Sequence, residues 1–161
     1  MRWLRFERRK CTRIDASLDV RLVIIGEGSE GYITSRTILA KTETISTNGA
    51  CLITNVVQID GLHICSSISG LNKNKLKLEI DLPSNYKTIT LTGEVCWYDL
   101  AFESDEYLYK VGVSFIDMNE DNKETLNSFI AIQRKERKKQ VRLFLKKFDF
   151  LRSIVILFIL G

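Results

Sequence analysis

Lys75-Leu76-Lys77-Leu78-Glu79-Ile80-Asp81-Leu82 alternates charged and apolar residues without interruption. Successive side chains of a strand project to opposite faces, so this stretch buries Leu76, Leu78, Ile80 and Leu82 and leaves the lysines and acids in water. Residues 88–99 repeat the pattern, with Ile89, Leu91, Gly93, Val95 and Trp97 on the inner side. The length of that run suits a strand that bends near Gly93 to follow a barrel. Outward from these two runs, short segments rich in Val, Ile, Thr and aromatic residues recur between Leu18 and Ile116. They predict strands at 19–25, 38–45, 50–56, 61–66, 75–82, 88–99 and 107–116, separated by turns at 26–31, 47–49, 70–74, 83–86 and 100–106. Six or seven antiparallel strands must hide their edges, and closure into a small barrel does so best.

After Asp117 the period changes. Asn119 or Asp121 can cap a helix, acids crowd its first turn, and Leu126, Phe129, Ile130 and Gln133 fall on one stripe. That stripe is expected to dock on the barrel. Residues 134–140 are polar all round, and a second apolar stripe follows through Val141, Phe144, Leu145, Phe148, Leu151, Val155 and Phe158. Three parts are therefore expected: a basic arm (1–17), a barrel with its helix (18–133), and a basic and apolar helical tail (134–161).

The 161 residues suffice for one core with an appendage. The net charge of +4 hides a division, since residues 1–13 hold six basic residues against one acid and residues 134–152 hold nine against two. The rest of the chain is acidic, which confines anion binding to those two segments. Cys11, Cys51, Cys65 and Cys96 form no CxxC pair, so they read as reduced thiols and not as a zinc or redox site. The start MRWLRFERRK lacks an apolar run of signal-peptide length, which makes the expected setting the cytoplasm, peripheral to a membrane if the tail meets lipid. With His63 as the sole histidine and no HExxH, GxSxG, Walker or GxGxxG signature, the chain is not read as an enzyme, and no metal or cofactor is expected. Nucleic acid is not an expected partner, because the basic segments lack interleaved aromatics on a strand face.

The informative segments are Glu7-Arg8-Arg9-Lys10-Cys11-Thr12-Arg13 and, some thirty residues on, Thr44-Ile45-Ser46-Thr47-Asn48-Gly49-Ala50. Here the chain resembles the PilZ domain family, whose ligand-binding signature is RxxxR followed by [D/N]xSxxG. Arg9 and Arg13 match the first motif; Ser46 and Gly49 match the second. The resemblance continues through 76–83, 93–97 and 111–115 and covers roughly residues 7–133. It implies a six-stranded antiparallel barrel with a C-terminal helix across one end. It also implies a receptor for cyclic di-GMP, with Arg8, Arg9, Arg13, Thr44, Ser46, Asn48 and Gly49 as the ligand-binding set, that passes the signal to a protein partner.

The residue types suit that ligand. Arginine can pair its planar fork with guanine O6/N7 or a phosphate while stacking on a purine, which lysine cannot do. Thr44 departs from the family pattern, placing a short hydroxyl where Asp or Asn is expected. Residues 57–71 are longer than the usual connection and bear on the strand count. Alone, Asn48-Gly49 between two strands is an ordinary hairpin signal, and Arg9 and Arg13 are ordinary solvated charges of a terminus. Thr44 and the tail motivate an alternative: a PilZ-like interaction or oligomerisation module that has lost ligand binding. Residues 134–160 also offer a surface for a homo-oligomer or for contact with a membrane surface.

Overall fold

The computed structural model describes residues 12–28, 30–66, 73–83, 86–103 and 106–160, except for the side chains of 103 and 146–160. The strands are β1 (Ile14–Asp15), β2 (Asp19–Gly28), β3 (Gly31–Thr34), β4 (Ile38–Ser46), β5 (Gly49–Thr54), β6 (Gln58–Ile59), β7 (Leu62–His63), β8 (Lys75–Ile80), β9 (Ile89–Glu103) and β10 (Glu106–Asp117), followed by one helix, α1 (Glu120–Leu160). Antiparallel neighbours run β4-β5-β10-β9-β8-β2, and β2 pairs back on β4 to close a six-stranded barrel. β4 shares one edge between two partners. Its residues Ile38–Lys41 take β2, and where β2 has left, Thr44 and Ile45 take the short strand β1.

The alternation that begins the sequence reading holds in three dimensions. Leu76, Leu78 and Ile80 are fully buried, in register with Ile24, Leu22 and Val20 across β2 and with Gly93, Leu91 and Ile89 across β9. On the wet face of the same strands, the Arg21 guanidinium pairs with both oxygens of Asp81 at 2.7 and 3.0 Å and reaches Glu79 at 3.2 Å. Arg21 in turn holds the Asp81 carboxyl below its usual range, with help from the Thr88 hydroxyl.

Trp97 is a correction. It is 44% exposed, although the period of 88–99 puts it in the core. Val95 pairs with Val113 and Trp97 with Gly112, so Cys96 is an extra residue in a bulge. A bulge advances one strand by one residue and reverses which face its side chains take beyond that point. Trp97 therefore lies on the outer face over Gly112, where a Cβ added to the glycine would come within 2.1 Å of the indole Nε1.

The region 57–66 is a second correction. It does not add a strand to the barrel but forms the separate hairpin β6–β7 around Asp60 and Gly61, both with left-handed φ (52° and 78°). An Asp-Gly pair with φ > 0 at both positions makes a primed turn, which suits the twist of a hairpin. Asp60 also accepts the Arg36 backbone N–H at 2.7 Å and its Nε–H at 2.9 Å, and these bonds keep its carboxyl ionised below the usual range. The turns expected at 26–31 and 100–106 are tighter than their ranges, because β2–β3 and β9–β10 continue as hairpins beyond the barrel body.

Asn119 caps α1, its Oδ1 accepting the Asn122 N–H at 2.8 Å, and Glu120 and Asp121 place negative charge at the positive end of the helix dipole. Leu126, Phe129 and Ile130 close one end of the barrel, with Phe129 edge-on to Tyr86 at 5.7 Å between centroids. Burying a side chain of that size stabilises by roughly 1.5–3 kcal/mol. The helix runs without a break through Arg134. None of the described helix is long and apolar enough to cross a membrane.

Candidate functional site

The β1–β4 ladder brings the arm to the second motif. Ile14 stands opposite Ile45 and Asp15 opposite Thr44, so the arm meets β4 next to its Ser46 end, with Arg13 the residue just before the ladder. Arg13 is exposed. Just beyond β1, the Thr42 hydroxyl accepts the Leu18 N–H at 3.0 Å and donates to the Ala16 carbonyl, which fixes where the arm leaves the barrel. Arg8 and Arg9 lie outside the described residues, as does Cys11.

The turn itself is tightly made. Ser46 pairs with Gly49, leaving Thr47 and Asn48 as the two central residues. The Asn-Gly pair is thus not the centre of the turn, and neither central residue has a left-handed φ. The Ser46 hydroxyl is buried and donates to the Gly49 carbonyl at 3.0 Å, while the Asn48 carbonyl accepts the Phe115 N–H at 2.9 Å. At Gly49 a Cβ would stand 2.4 Å from the Val113 carbonyl oxygen, a backbone atom that cannot swing aside. Ser46 and Gly49 therefore hold the turn against β10, and the exposed Asn48 presents its side chain to solvent.

Thr44 is half-buried, paired with Asp15 on one side and Cys51 on the other. The ladder slips between Thr42 and Thr44, so Glu43 is the extra residue of a bulge. Its carboxylate accepts the Lys110 ammonium at 2.6 Å and the Cys51 thiol at 3.4 Å. The Lys110 hydrogen bond is the main reason the Glu43 carboxyl titrates below its ordinary value, against burial and the nearby charge of Asp15. Burial first, then the hydrogen bond and charge of Glu43, push the Cys51 thiol up to about 11; Lys110 and Arg13 pull weakly the other way. Arg13, Asp15, Glu43 and Lys110 thus belong to one electrostatic cluster, with Asp15 across from Thr44 and Glu43 just before it in the chain.

Glu43 and Lys110 are absent from the sequence-derived set. Glu43 sits one place before the motif, and only the bulge aims it at Lys110, 67 residues further along. Free thiols among the described residues are Cys51, Cys65 and Cys96. The His63 ring is engaged locally: its Nδ1 accepts the Cys65 N–H at 3.2 Å, and the ring meets Tyr98 edge-on. No group of three or more His, Cys, Asp or Glu among the described residues is placed to hold a metal ion.

Comparison with known proteins agrees with this architecture. The chain superimposes on the PilZ domain with c-di-GMP of YcgR from Escherichia coli with a TM-score of 0.55 at 10% identity, covering 83% of this chain and 98% of that one. The K. pneumonia MrkH–c-di-GMP complex gives 0.55 at 18% identity over 83% of this chain and 56% of MrkH. The Bacillus subtilis inhibitor of motility (MotI/DgrA) gives 0.51 at 22% identity over 82% of this chain and 53% of that one. This chain thus spans about half the length of the last two. No curated protein sequence matches. The PilZ domain family's own sequence pattern matches residues 7–131, which is most of the chain. With the closed six-stranded barrel, the capping helix and a family sequence pattern matched over most of its length, this chain belongs to the PilZ domain family.

Proposed function

We propose that this chain is a cyclic di-GMP receptor in which ligand draws the arm carrying Arg8, Arg9 and Arg13 over the turn formed by Thr44, Ser46, Asn48 and Gly49, and that the ordered arm alters contact with a protein partner. The observation that carries the reading is the β1–β4 register, which pairs Ile14 with Ile45 and so brings the arm, with Arg13 next to Ile14 in the chain, to the end of β4 that carries Ser46. An exposed guanidinium there can take a guanine edge or a phosphate with its fork. The ordering cost of the arm falls on binding, which couples ligand to arm position.

Isothermal titration tests it. Cyclic di-GMP should bind, and Arg9→Ala and Arg13→Ala should each abolish the heat. Absence of heat from the native chain at hundreds of micromolar ligand would sink the proposal.

The second reading, an interaction module that no longer binds ligand, draws on Thr44 and on the internal use of the Ser46 hydroxyl. It predicts no heat together with self-association through α1, whose Val141, Leu143, Phe144 and Leu145 are exposed. Light scattering showing a monomer would remove it.

A further inference from the structure

The stripe by which α1 docks on the barrel changes character at Gln133. Steps of four along a helix keep to one face, so Leu126, Ile130, Arg134, Lys138 and Arg142 form one row and Phe129, Gln133, Arg137 and Val141 the row beside it. The first members of both rows are buried in the barrel end; the later ones pass β1 and are exposed. Between this basic part of the helix and the end of the arm lies an open cavity of about 560 Å³. Arg13, Arg134, Arg137, Lys138 and Arg142 line it, and none of its lining residues is acidic. Only Arg137 has an ion-pair partner there, Asp15 at 2.7 Å; among the described residues the other four cations have none. Four cations of the basic run, Arg134, Arg137, Lys138 and Arg142, thus share a hollow with the end of the arm while remaining exposed.

We infer that Arg134, Lys138 and Arg142 form the outer wall of the cyclic di-GMP site and hold one of its phosphate groups opposite Arg13. The inference rests on the receptor reading above and adds a second element to the site. Four like charges around one hollow repel one another until an anion enters, and a phosphodiester offers oxygens that arginine and lysine both accept. The hollow is of ordinary ligand-pocket size. A ligand held from both sides bridges the arm to α1, so binding is felt directly by the helix that leaves the barrel.

The test is titration of cyclic di-GMP into the native chain, the triple variant Arg134→Gln/Lys138→Gln/Arg142→Gln, and Lys139→Gln, which does not line the cavity. The three changed residues are exposed, and circular dichroism should report an unaltered fold. The triple variant should bind about tenfold to hundredfold more weakly, with a shallower salt dependence, while Lys139→Gln binds as the native chain does. Equal affinity and equal salt dependence in the triple variant overturn the inference and leave the receptor reading standing. If that equality is accompanied by lost flotation with phosphatidylglycerol vesicles, the basic row serves a lipid phosphate instead. No binding by the native chain overturns the receptor reading and this inference together.

Discussion

Arg137 Nη1 lies 2.7 Å from Asp15 Oδ2, joining α1 to β1 two residues after Arg13. Both side chains are largely exposed, at 63% and 68%, and such pairs contribute about 0–1 kcal/mol. Arg137→Ala should therefore leave the melting temperature of the barrel almost unchanged. It should, however, speed amide hydrogen exchange in α1 beyond Gln133, where the helix has left the barrel end. Unchanged exchange there would mean that this pair does not tether the helix.

Gly49 matches the second family motif, but its immediate constraint is steric, since any Cβ meets the Val113 carbonyl at 2.4 Å. Gly49→Ala should cost about 1–3 kcal/mol of stability through forced displacement of β5 from β10. Chemical denaturation measures it. A variant that lost ligand binding at full native stability would show that the glycine acts on the ligand and not through the turn.

Thr44 is where an amide or carboxylate is expected, and its cross-strand partner is Asp15. Restoring one polar contact is worth about 1–3 kcal/mol, so Thr44→Asn should tighten cyclic di-GMP binding by about tenfold or more. Thr44→Asp should gain less, because like charges directly opposite on paired strands repel and Glu43 adds a second carboxylate beside it. Titration of the two variants side by side decides; an Asp variant that outperforms Asn would contradict the electrostatic picture of this wall.

Glu43 titrates below its ordinary value of 4.5 because Lys110 donates to it. A lowered carboxyl contributes stability above its unfolded value and loses it as pH falls through the folded one. Both partners are partly solvated, which limits the contribution to under about 1 kcal/mol. The melting-temperature gap between the native chain and Glu43→Gln should be widest above pH 4.5 and should close as the pH is lowered further. A gap that widened in acid would reverse the assigned sign.

Much of the barrel is legible in the chain itself, because a strand with one wet face must alternate. Residues 75–82 show this plainly, and Leu76, Leu78 and Ile80 are buried as the pattern requires. The helix start was equally open to reading, since Asn119 and the acids after it satisfy local backbone groups and a local dipole. Trp97 was not, because a bulge at Cys96 reverses the faces and depends on β10 lying alongside. The Asp60-Gly61 turn carried a local signal that the strand pattern at 61–66 obscured.

The site divides in the same way. Residue types and spacing by themselves determined the family motifs Arg9, Arg13, Ser46 and Gly49, and the presence of two basic segments on an acidic body. Only the tertiary structure decided that Ile14 and Asp15 pair with Ile45 and Thr44, that Glu43 faces Lys110, and that Arg134, Lys138 and Arg142 share a hollow with Arg13. Periodicity records which face of an element is wet, because that is a property of each residue in its own strand or helix. Which elements meet across that face is set by strand register, bulges and helix docking, which join residues far apart in the chain.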